Sequence, residues 1–172
     1  NTNFDETELK NKQRNILNPL WNSAMFFLMY AQTNNWGSKK KVESNNVLDK
    51  WIYIRLNQTS KEIEKYLISY DIPPAVKSLE NFVDDLSRWY VRRSRDRISS
   101  GDNEALSTLY DILLTSSKVF APIIPFMSES IYRSLKDNDD SGEESVHLCS
   151  YPSFGDLTEE AEEILINMKK AR

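Results

Sequence analysis

The stretch that decides the fold is Phe82-Val83-Asp84-Asp85-Leu86-Ser87-Arg88-Trp89-Tyr90-Val91-Arg92-Arg93-Ser94-Arg95-Asp96-Arg97. It contains neither glycine nor proline, and with Ala75 and Leu79 before it the apolar residues recur every three or four positions. That spacing is typical of an amphipathic helix with one face in a protein core. We therefore expect a long helix here, around which the rest of the chain is organised.

Five arginines divide into two sets on this predicted helix. At about 100° per residue, Arg88, Arg92 and Arg95 lie roughly opposite the apolar stripe, whereas Arg93 and Arg97 lie over its continuation. A guanidinium over a core is costly without a partner, so we expect the inner two to pair with carboxylates of neighbouring helices. The outer three are expected on the surface.

The charge of this segment differs from that of the whole chain. Leu86 to Ile98 holds five arginines and one aspartate, a net of +4, whereas the 172-residue chain has a formal net charge of −4. A local reversal of this kind indicates an anionic partner, and the planar fork of arginine suits phosphate. The alternative is a solvated helix face with acid partners, which is what most charged stripes are. The acids in question are Asp84, Asp85 and Asp96.

Length and composition favour one all-α domain. The chain is long enough for one substantial core, and it has only four glycines and six prolines. A single cysteine, Cys149, excludes an internal disulfide and a cysteine-based metal site, and it fits a reducing compartment. His147 is the only histidine. We therefore expect no metal site and no catalytic residue in this chain.

Nothing in the hydropathy predicts a membrane segment. The longest uncharged apolar run, Ala24 to Ala31, is only eight residues and cannot span a bilayer, and no signal-peptide pattern is present. We expect a cytoplasmic location without membrane contact. Because the chain opens at Asn1 without a methionine, we also expect it to be part of something longer.

Two helices are expected before residue 46. Phe4 to Leu17 has a helical tendency, and Asn18 followed by Pro19 predicts the start of a second helix with Asn18 as its N-cap. Asn34 to Ser38 should end this helix. Three lysines follow in a loop: Lys39, Lys40 and Lys41. Lysines in a loop are usually solvated, and the alternative is a contact with RNA.

The next helix is predicted from Val47 to about Ser69, with Asn45 or Asn46 as its cap. Arg55 lies in the middle of its apolar stripe, so a partner is required there. The candidate partners are Asp85, Asp49 and Glu129. Pro73-Pro74 should end this helix and start the arginine-bearing one, and the two helices should pack antiparallel.

A further helix is expected from the capping residue Asp102 to Phe120. Pro122 and Pro125 then force a break before a short helix. From Lys136 to Glu163 ten acids face one lysine, a local net of −9, so this segment should lie away from any nucleic acid.

The last part of the chain is predicted to be a short extended piece followed by a helix. The extended piece is Val146-His147-Leu148, and Thr158 should cap the C-terminal helix. No glycine-rich phosphate loop, Cys–His pair, serine elbow or zinc pattern occurs anywhere in the sequence. From pattern alone, the chain is a helical bundle that binds something anionic.

Five blocks of residues resemble a known family in their order and spacing. They are Trp21-Asn22-Ser23 with Phe26-Phe27 and Tyr30-Ala31; Leu48-Asp49-Lys50-Trp51-Ile52 with Arg55-Leu56-Asn57; Leu86 to Arg97; Ala121-Pro122 with Pro125-Phe126-Met127-Ser128-Glu129; and Ser145-Val146-His147-Leu148 with Pro152. Together they look like the anticodon-binding helical domain of class I isoleucyl-tRNA synthetase, over about Leu17 to Arg172. The arginine run is similar to the eukaryote-like branch of that enzyme.

The resemblance implies an antiparallel helix bundle of the class I synthetase anticodon-binding type, with a short extended segment and a C-terminal helix. We expect lead-in helices in residues 1–45, the bundle in 46–136, and the acidic loop, extended segment and C-terminal helix in 137–172, all in one domain. The implied partners are isoleucine-specific tRNA and the rest of the synthetase chain, as a monomer. ATP with magnesium is implied for the longer enzyme only, because the His-Ile-Gly-His and Lys-Met-Ser-Lys-Ser types of motif are missing here.

The expected roles of individual side chains follow from both lines of reasoning. The RNA contacts are expected at Arg88, Arg92, Arg95, Lys39, Lys40 and Lys41, with base stacking by Trp36 or Trp89. The structural ion pairs are expected to involve Arg55, Arg93, Arg97, Asp85 and Glu129. Two other interpretations stay open: the same domain of a valyl-type or other class I synthetase, and a non-enzymatic helical module that binds protein.

Overall fold

The structure is a computed structural model that describes residues 10–136 and 142–171. Within these ranges its seven α-helices are α1 Asn18–Thr33, α2 Val47–Ile68, α3 Ile72–Asp84, α4 Arg95–Ser99, α5 Asn103–Phe120, α6 Pro125–Leu135 and α7 Glu159–Ala171. The same ranges contain two π-helical segments, Gln13–Leu17 and Asp85–Val91. They also contain two 3-10 turns, Ser38–Lys40 and Val146–Leu148. No strand occurs in the same ranges, and the predicted all-α fold is confirmed. The helical tendency expected for residues 4–9 lies outside the described residues.

The helices α2 and α3 form an antiparallel hairpin. Pro73 and Pro74 fall in the first turn of α3, where a missing N–H costs nothing. The contacts across the hairpin run in opposite directions along the two helices. Ser78 donates to Glu62 at 2.7 Å near the turn, and Tyr90 donates to Asp49 at 2.9 Å at the far end. The antiparallel packing predicted for these helices is therefore confirmed.

Side-chain caps fix three helix starts. Asn46 accepts the backbone N–H of Leu48 at 2.9 Å, and Asp102 accepts that of Glu104 at 2.9 Å. Thr158 accepts a backbone N–H in the first turn of α7 at 3.3 Å. These caps satisfy donors that the first turn of a helix leaves without partners. The starts predicted at Asp102 and Thr158 are confirmed, and of the two caps predicted for α2, Asn45 or Asn46, the structure shows Asn46.

The α-helix α1 begins at Asn18, but the N-cap role predicted for Asn18 is wrong. Asn18 has helical backbone angles, and its N–H bonds to the carbonyl of Gln13, five residues back. The helix is therefore continuous from Lys10 through the first π-segment into α1. The wider π turn relieves the clash that the Pro19 ring would make in a regular α-helix, so the chain passes the proline without a break.

The core is built around α5, which is buried along most of its length. Phe82 of α3 meets Phe120 of α5 with ring centroids 5.8 Å apart. Leu20 of α1 and Ile52 of α2 are also buried in the same cluster. The apolar stripes of four helices thus face one interior, as the helical periodicity of the sequence predicted.

Val146–Leu148 is a 3-10 turn, so the prediction of an extended piece is wrong for these three residues. Ser145 caps the turn by accepting the N–H of His147 at 3.3 Å. Glu129 of α6 accepts the N–H of Val146 and the hydroxyl of Ser145, both at 2.9 Å. These bonds hold the turn against α6, and within the described residues a strand would have no neighbouring strand with which to pair.

Candidate nucleic-acid interface

Four exposed arginines follow one another on the outside of the second π-segment and the residues after it: Arg88, Arg92, Arg93 and Arg95. We call them the arginine surface. Arg88 pairs with Asp84 at 3.1 Å, although 67% of its side chain is exposed. Arg92 and Arg95 have no carboxylate partner in the part of the chain that the structure describes. The surface therefore carries positive charge that its neighbours neutralise only at Arg88.

The second π-segment decides which arginines reach this surface. Leu86, Tyr90, Ser94 and Ile98 are all fully buried, one every four residues. In a regular α-helix, each four-residue step over-rotates by about 40°, so such a track would leave the core. The wider π turns remove that surplus and keep the track inward.

Arg93 is consequently carried outward, and the ion pair expected for it is wrong. Its guanidinium carbon lies 4.2 Å from the ring centroid of Trp89, four residues earlier. A cation over an aromatic face contributes about 0.5–1 kcal/mol at an exposed site. The stack orients the guanidinium while its N–H edges stay available, and it covers one face of Trp89 against a base.

Arg97 lies on the other side of the helix, in an ion cluster with Asp49. Two parallel bonds join the guanidinium to the fully buried Asp49 carboxylate, at 3.0 and 2.9 Å. Its Nε donates to Asp102 at 2.8 Å. Tyr90 and Ser44 also donate to Asp49, at 2.9 and 2.6 Å. We call these five residues the Asp49 cluster.

The electrostatics of the Asp49 cluster keep Arg97 and Asp102 charged and the phenol of Tyr90 neutral. Burial and the Asp49 carboxylate raise the pKa of Tyr90 well above its ordinary value. Burial alone would lower the pKa of Arg97, but its bonds to Asp49 and Asp102 raise it above the ordinary value. Burial alone would raise the pKa of Asp102, but hydrogen bonds from the Arg97 guanidinium and from two backbone N–H groups outweigh it. The pKa of Asp102 is therefore below its ordinary value of 3.8. A buried ion pair is stable when its geometry is good and further hydrogen bonds satisfy the remaining lone pairs. Here the two parallel bonds from Arg97 supply the geometry, and Tyr90 and Ser44 supply the further bonds.

A tight turn places Asp102 for this role. Gly101 has φ +82°, and a Cβ at this position would lie 2.5 Å from the side-chain oxygen of Asn34. The positive φ favours glycine here, and a larger residue would also have to displace the side chain of Asn34. The turn joins α4 to α5, so that Asp102 can cap α5 and bind Arg97 at once.

Arg55 pairs with Asp85, one of the three partners expected for it. The Nε–Oδ2 distance is 2.8 Å, and Gln58 accepts a second bond at 2.5 Å. Asp85 is buried, whereas 24% of the Arg55 side chain is exposed. Arg55 is thus half-buried at the edge of the stripe, because two clefts open beside it.

Glu129 stays on α6, away from Arg55. Besides Ser145 and Val146 it binds Arg133, with an Nε–Oε1 distance of 2.5 Å. Burial raises the pKa of Glu129, but these three donors outweigh it and hold the pKa below 4.5. Its ionised carboxylate therefore ties the 3-10 turn to α6.

The lysine loop is largely occupied by intramolecular contacts. Lys41 pairs with Asp111 of α5 at 2.8 Å, and Tyr53 donates to the same carboxylate at 2.8 Å. Lys40 donates to the carbonyl of Asn35 and is exposed. The backbone of Lys39 lies in the 3-10 turn, and its side chain is outside the described residues.

Trp36 packs at the edge of the core. Its ring lies 5.5 Å from that of Phe27 and 5.3 Å from that of Tyr110, between centroids. Its indole N–H donates to Asn103 at 2.7 Å. Aromatic rings in such mutual contact stabilise a fold, and the indole donor is already satisfied. The structure thus places Trp36 in a packing cluster with Phe27 and Tyr110.

The acidic C-terminal region is tied to α2. Lys61 binds Asp156 at 2.9 Å, and Lys50 lies 3.5 Å from Glu160. At the opposite end of α7, Lys169 lines a cleft together with Arg55 and Asp85. The acidic end of α7 therefore lies beside α2, and its basic end lies near the start of the second π-segment.

No helix in the described part of the chain combines the length and apolar character that a membrane span requires. Within the same residues, no group of three or more histidine, cysteine or acidic side chains is arranged to hold a metal ion.

Comparison with known proteins assigns the chain to a family. Residues 49–172 match the model of the anticodon-binding domain of tRNA ligase. The isoleucine–tRNA ligase of Clostridium acetobutylicum is 44% identical over 161 residues, covering 89% of this chain and 16% of the relative. The isoleucine–tRNA ligase of Protochlamydia amoebophila is 40% identical over 161 residues, covering 90% of this chain and 15% of the relative. The isoleucine–tRNA ligase of Deinococcus radiodurans is 39% identical over 157 residues, covering 87% of this chain and 14% of the relative. The chain thus spans about 15% of the length of these relatives. By the match over residues 49–172, it belongs to the anticodon-binding domain family of tRNA ligases.

Proposed function

We propose that this chain docks the anticodon stem and loop of isoleucine tRNA. The observation that carries the proposal is the arginine surface: four exposed arginines in a row, on a chain whose overall charge is negative. The family and the names of the matched relatives supply the class of partner. The surface supplies the means of contact.

Arginine side chains on a rigid helix suit an RNA backbone. Each guanidinium can give two parallel hydrogen bonds to one phosphate, and these contacts position the RNA without reading its sequence. Contacts to phosphate also release bound counterions, so affinity falls steeply with salt. Arg92 and Arg95 need not break a protein ion pair to make them, whereas Arg88 must share its charge with Asp84.

The Asp49 cluster serves the same function indirectly. It fastens the helix on its inner side through Arg97 while the arginine surface faces outward. A surface held in one orientation loses less conformational freedom when it binds. We propose that Arg97 and Asp49 position the arginine surface and do not touch RNA.

The chain acts within a longer enzyme in this proposal. That enzyme attaches isoleucine to its tRNA with ATP and magnesium bound by segments that this chain does not include, and it works in the cytoplasm as a monomer. The role of this domain is to hold the far end of the tRNA so that the acceptor end reaches the active site. Lys40, exposed beside α5, is a secondary candidate for binding RNA.

The test is a salt titration of tRNA affinity. The Arg92→Gln/Arg95→Gln variant should lower the slope of log K against log salt by about 0.7–0.9 for each phosphate that is no longer bound. Its melting temperature should match that of the wild type, because neither guanidinium has a carboxylate partner in the described residues. The matched control is Lys65→Gln/Lys118→Gln, which removes the same charge from elsewhere on the chain.

An unchanged slope and affinity in the arginine variant would refute the proposed surface. Competition with valine tRNA addresses specificity in the same assay. Displacement by isoleucine tRNA at lower concentration than by valine tRNA is the expected result. Equal displacement by both would contradict the isoleucine assignment and leave only the family.

A further inference from the structure

Two clefts open on either side of the Arg55–Asp85 pair. The first, of about 480 Å³, lies between the first π-segment, α2 and α3, and both Lys77 and Arg88 line it. The second, of about 400 Å³, lies between α2 and the basic end of α7, where Lys169 lines it. Arg55 and Asp85 line both clefts. Arg88 and Lys169 therefore stand on opposite sides of one ion pair.

The charges around this pair are unequally exposed. Two of the three carboxylates that line the first cleft are largely covered: 3% of the Asp85 side chain is exposed and 16% of that of Glu80. The third, Asp84, is 35% exposed and pairs with Arg88. The cations reach solvent, with 64% of Lys77 and 67% of Arg88 exposed. Most of the negative charge thus lies in the covered part of the first cleft, and the exposed charges at its rim are Lys77, Arg88 and the Asp84 carboxylate that pairs with Arg88. The three cations and three carboxylates that line the first cleft balance in charge, so what attracts an anion is the greater exposure of Lys77 and Arg88 at close range.

The covered acids of the first cleft already have partners. Glu80 accepts hydrogen bonds from Lys12 at 3.0 Å and Asn15 at 3.2 Å, in addition to Lys77 at 3.4 Å. Lys77 can therefore leave Glu80 at the cost of one long, exposed hydrogen bond, because Lys12 and Asn15 still donate to the Glu80 carboxylate. Arg88 uses one terminal nitrogen for Asp84. Both side chains can turn to an anion at the rim without leaving a buried carboxylate unpaired.

The orientation of α7 adds to this arrangement. Glu160 and Asp156 bind Lys50 and Lys61, which ties the acidic end of this region to α2. Lys169 at the other end is exposed beside Arg55. A cation in the last turn is also favoured by the helix dipole. The basic end of α7 thus lies at the second cleft, where Lys169 adds a positive charge.

We propose that this pair of clefts is a second phosphate-binding site, in which Lys77, Arg88 and Lys169 bind backbone phosphates of the same RNA that the arginine surface holds. Arg88 belongs to both sites and lies one helical turn from Arg92. The RNA path therefore continues from the arginine surface across the Arg55–Asp85 pair to the end of α7. This inference rests on the proposed function and extends its contact surface.

The test uses Lys77→Gln/Lys169→Gln, two residues outside the arginine surface. The variant should bind isoleucine tRNA about 10-fold more weakly at low salt, the size expected if one or two charge-assisted bonds are removed. The salt slope should fall by about 0.7–0.9 for each of these phosphates. The melting temperature should stay at the wild-type value, and Lys65→Gln/Lys118→Gln should keep both the affinity and the slope.

The outcomes separate the two ideas. If Lys77→Gln/Lys169→Gln behaves like the lysine control while Arg92→Gln/Arg95→Gln binds more weakly, the cleft site is refuted and the proposed function stands. If the wild-type chain shows no salt-dependent tRNA binding at all, both are refuted. Weaker binding by both variants, with slopes that fall further in the combined variant, supports the cleft site.

Discussion

Arg95 and Arg97 are two residues apart in the chain but belong to two different regions of the molecule. Arg97 lies in the Asp49 cluster, where a buried carboxylate and Asp102 neutralise its charge. Arg95 lies on the arginine surface, without a carboxylate partner in the described residues. The comparison teaches that the environment of the helix face, and not the residue type, separates a structural arginine from one available to a ligand.

The two regions should also differ in how they respond to mutation. Removing one partner of a buried pair costs several kcal/mol because the other charge stays buried. Changing an exposed charge usually alters stability by less than about 0.5 kcal/mol. The Asp49 cluster should therefore be sensitive in folding assays, and the arginine surface in binding assays.

The largest effect is expected for Asp49→Ala. It leaves Arg97 and Tyr90 without their shared acceptor in the interior, so the free energy of unfolding should fall by about 3–5 kcal/mol. Chemical denaturation followed by circular dichroism measures this. Asp96→Ala, an exposed aspartate of the same segment, is the control and should change stability by less than about 0.5 kcal/mol. If the Asp49→Ala and Asp96→Ala variants had the same free energy of unfolding, the Asp49 cluster would contribute no more to stability than an exposed charge.

Arg55→Met should have an intermediate effect, because Arg55 is half-buried and lies between the two extremes. Removing its bond to the buried Asp85 should cost about 1–3 kcal/mol, and a domain of this size then melts about 2–4 °C lower per kcal/mol. Thermal unfolding gives the answer. A melting temperature equal to that of the wild type would mean that the pair contributes nothing.

Arg93→Gln sharpens the comparison within the arginine run itself. It removes a stack worth about 0.5–1 kcal/mol, so folding should change little, whereas tRNA binding should weaken because one fewer phosphate is bound. Denaturation and a salt titration on the same variant separate these effects. A destabilisation as large as that of Asp49→Ala would place Arg93 with the structural arginines after all.

The smallest effect concerns acid stability. The pKa of Asp102 is below its ordinary value of 3.8, so its contribution to stability is present above that pH and is lost as the pH falls through the lower folded-state value. Asp102→Asn keeps an N-cap but removes this titration. Its melting temperature should therefore vary less than that of the wild type between neutral pH and pH values below 3.8. Parallel curves for the two proteins would contradict this.

The fold was largely predictable because local signals agree with tertiary packing. Asn46, Asp102 and Thr158 are strong capping residues placed before apolar periodic stretches, and each starts a helix. Asn18 carries the same local signal but does not cap a helix, because the preceding π turn keeps the backbone helical through it. A cap signal predicts a start only where the chain before it is not already helical.

The candidate site was less predictable, for a geometric reason. The positions of the arginines follow from 100° per residue in a regular helix, and that angle does not hold through Asp85–Val91. The signal that could have shown this is the spacing of Leu86, Tyr90, Ser94 and Ile98, which is four residues throughout once the three-residue step from Val83 to Leu86 has been made. Such a track can stay buried only if the helix is locally underwound.

Contacts that join distant parts of the sequence were not accessible from pattern at all. Trp36 packs on Tyr110, and Lys41 binds Asp111 in the same helix. By sequence both are candidates for binding RNA, because each lies in a polar loop. Only the fold brings their partners to them.

The second π-segment makes the place of a length change decisive for the interface. Its wider turns hold a surplus residue, so deleting one residue from Asp85–Val91 would let regular α-helical bonding form and leave the later side chains near their present faces. Deleting one residue from α3, where no such surplus exists, would instead swing every later side chain by about 100° around the axis. Arg97 would then turn away from Asp49 and the arginine surface would leave its present face, although no arginine had been replaced. Alignments of related chains should therefore be judged by where a length difference falls as well as by its size.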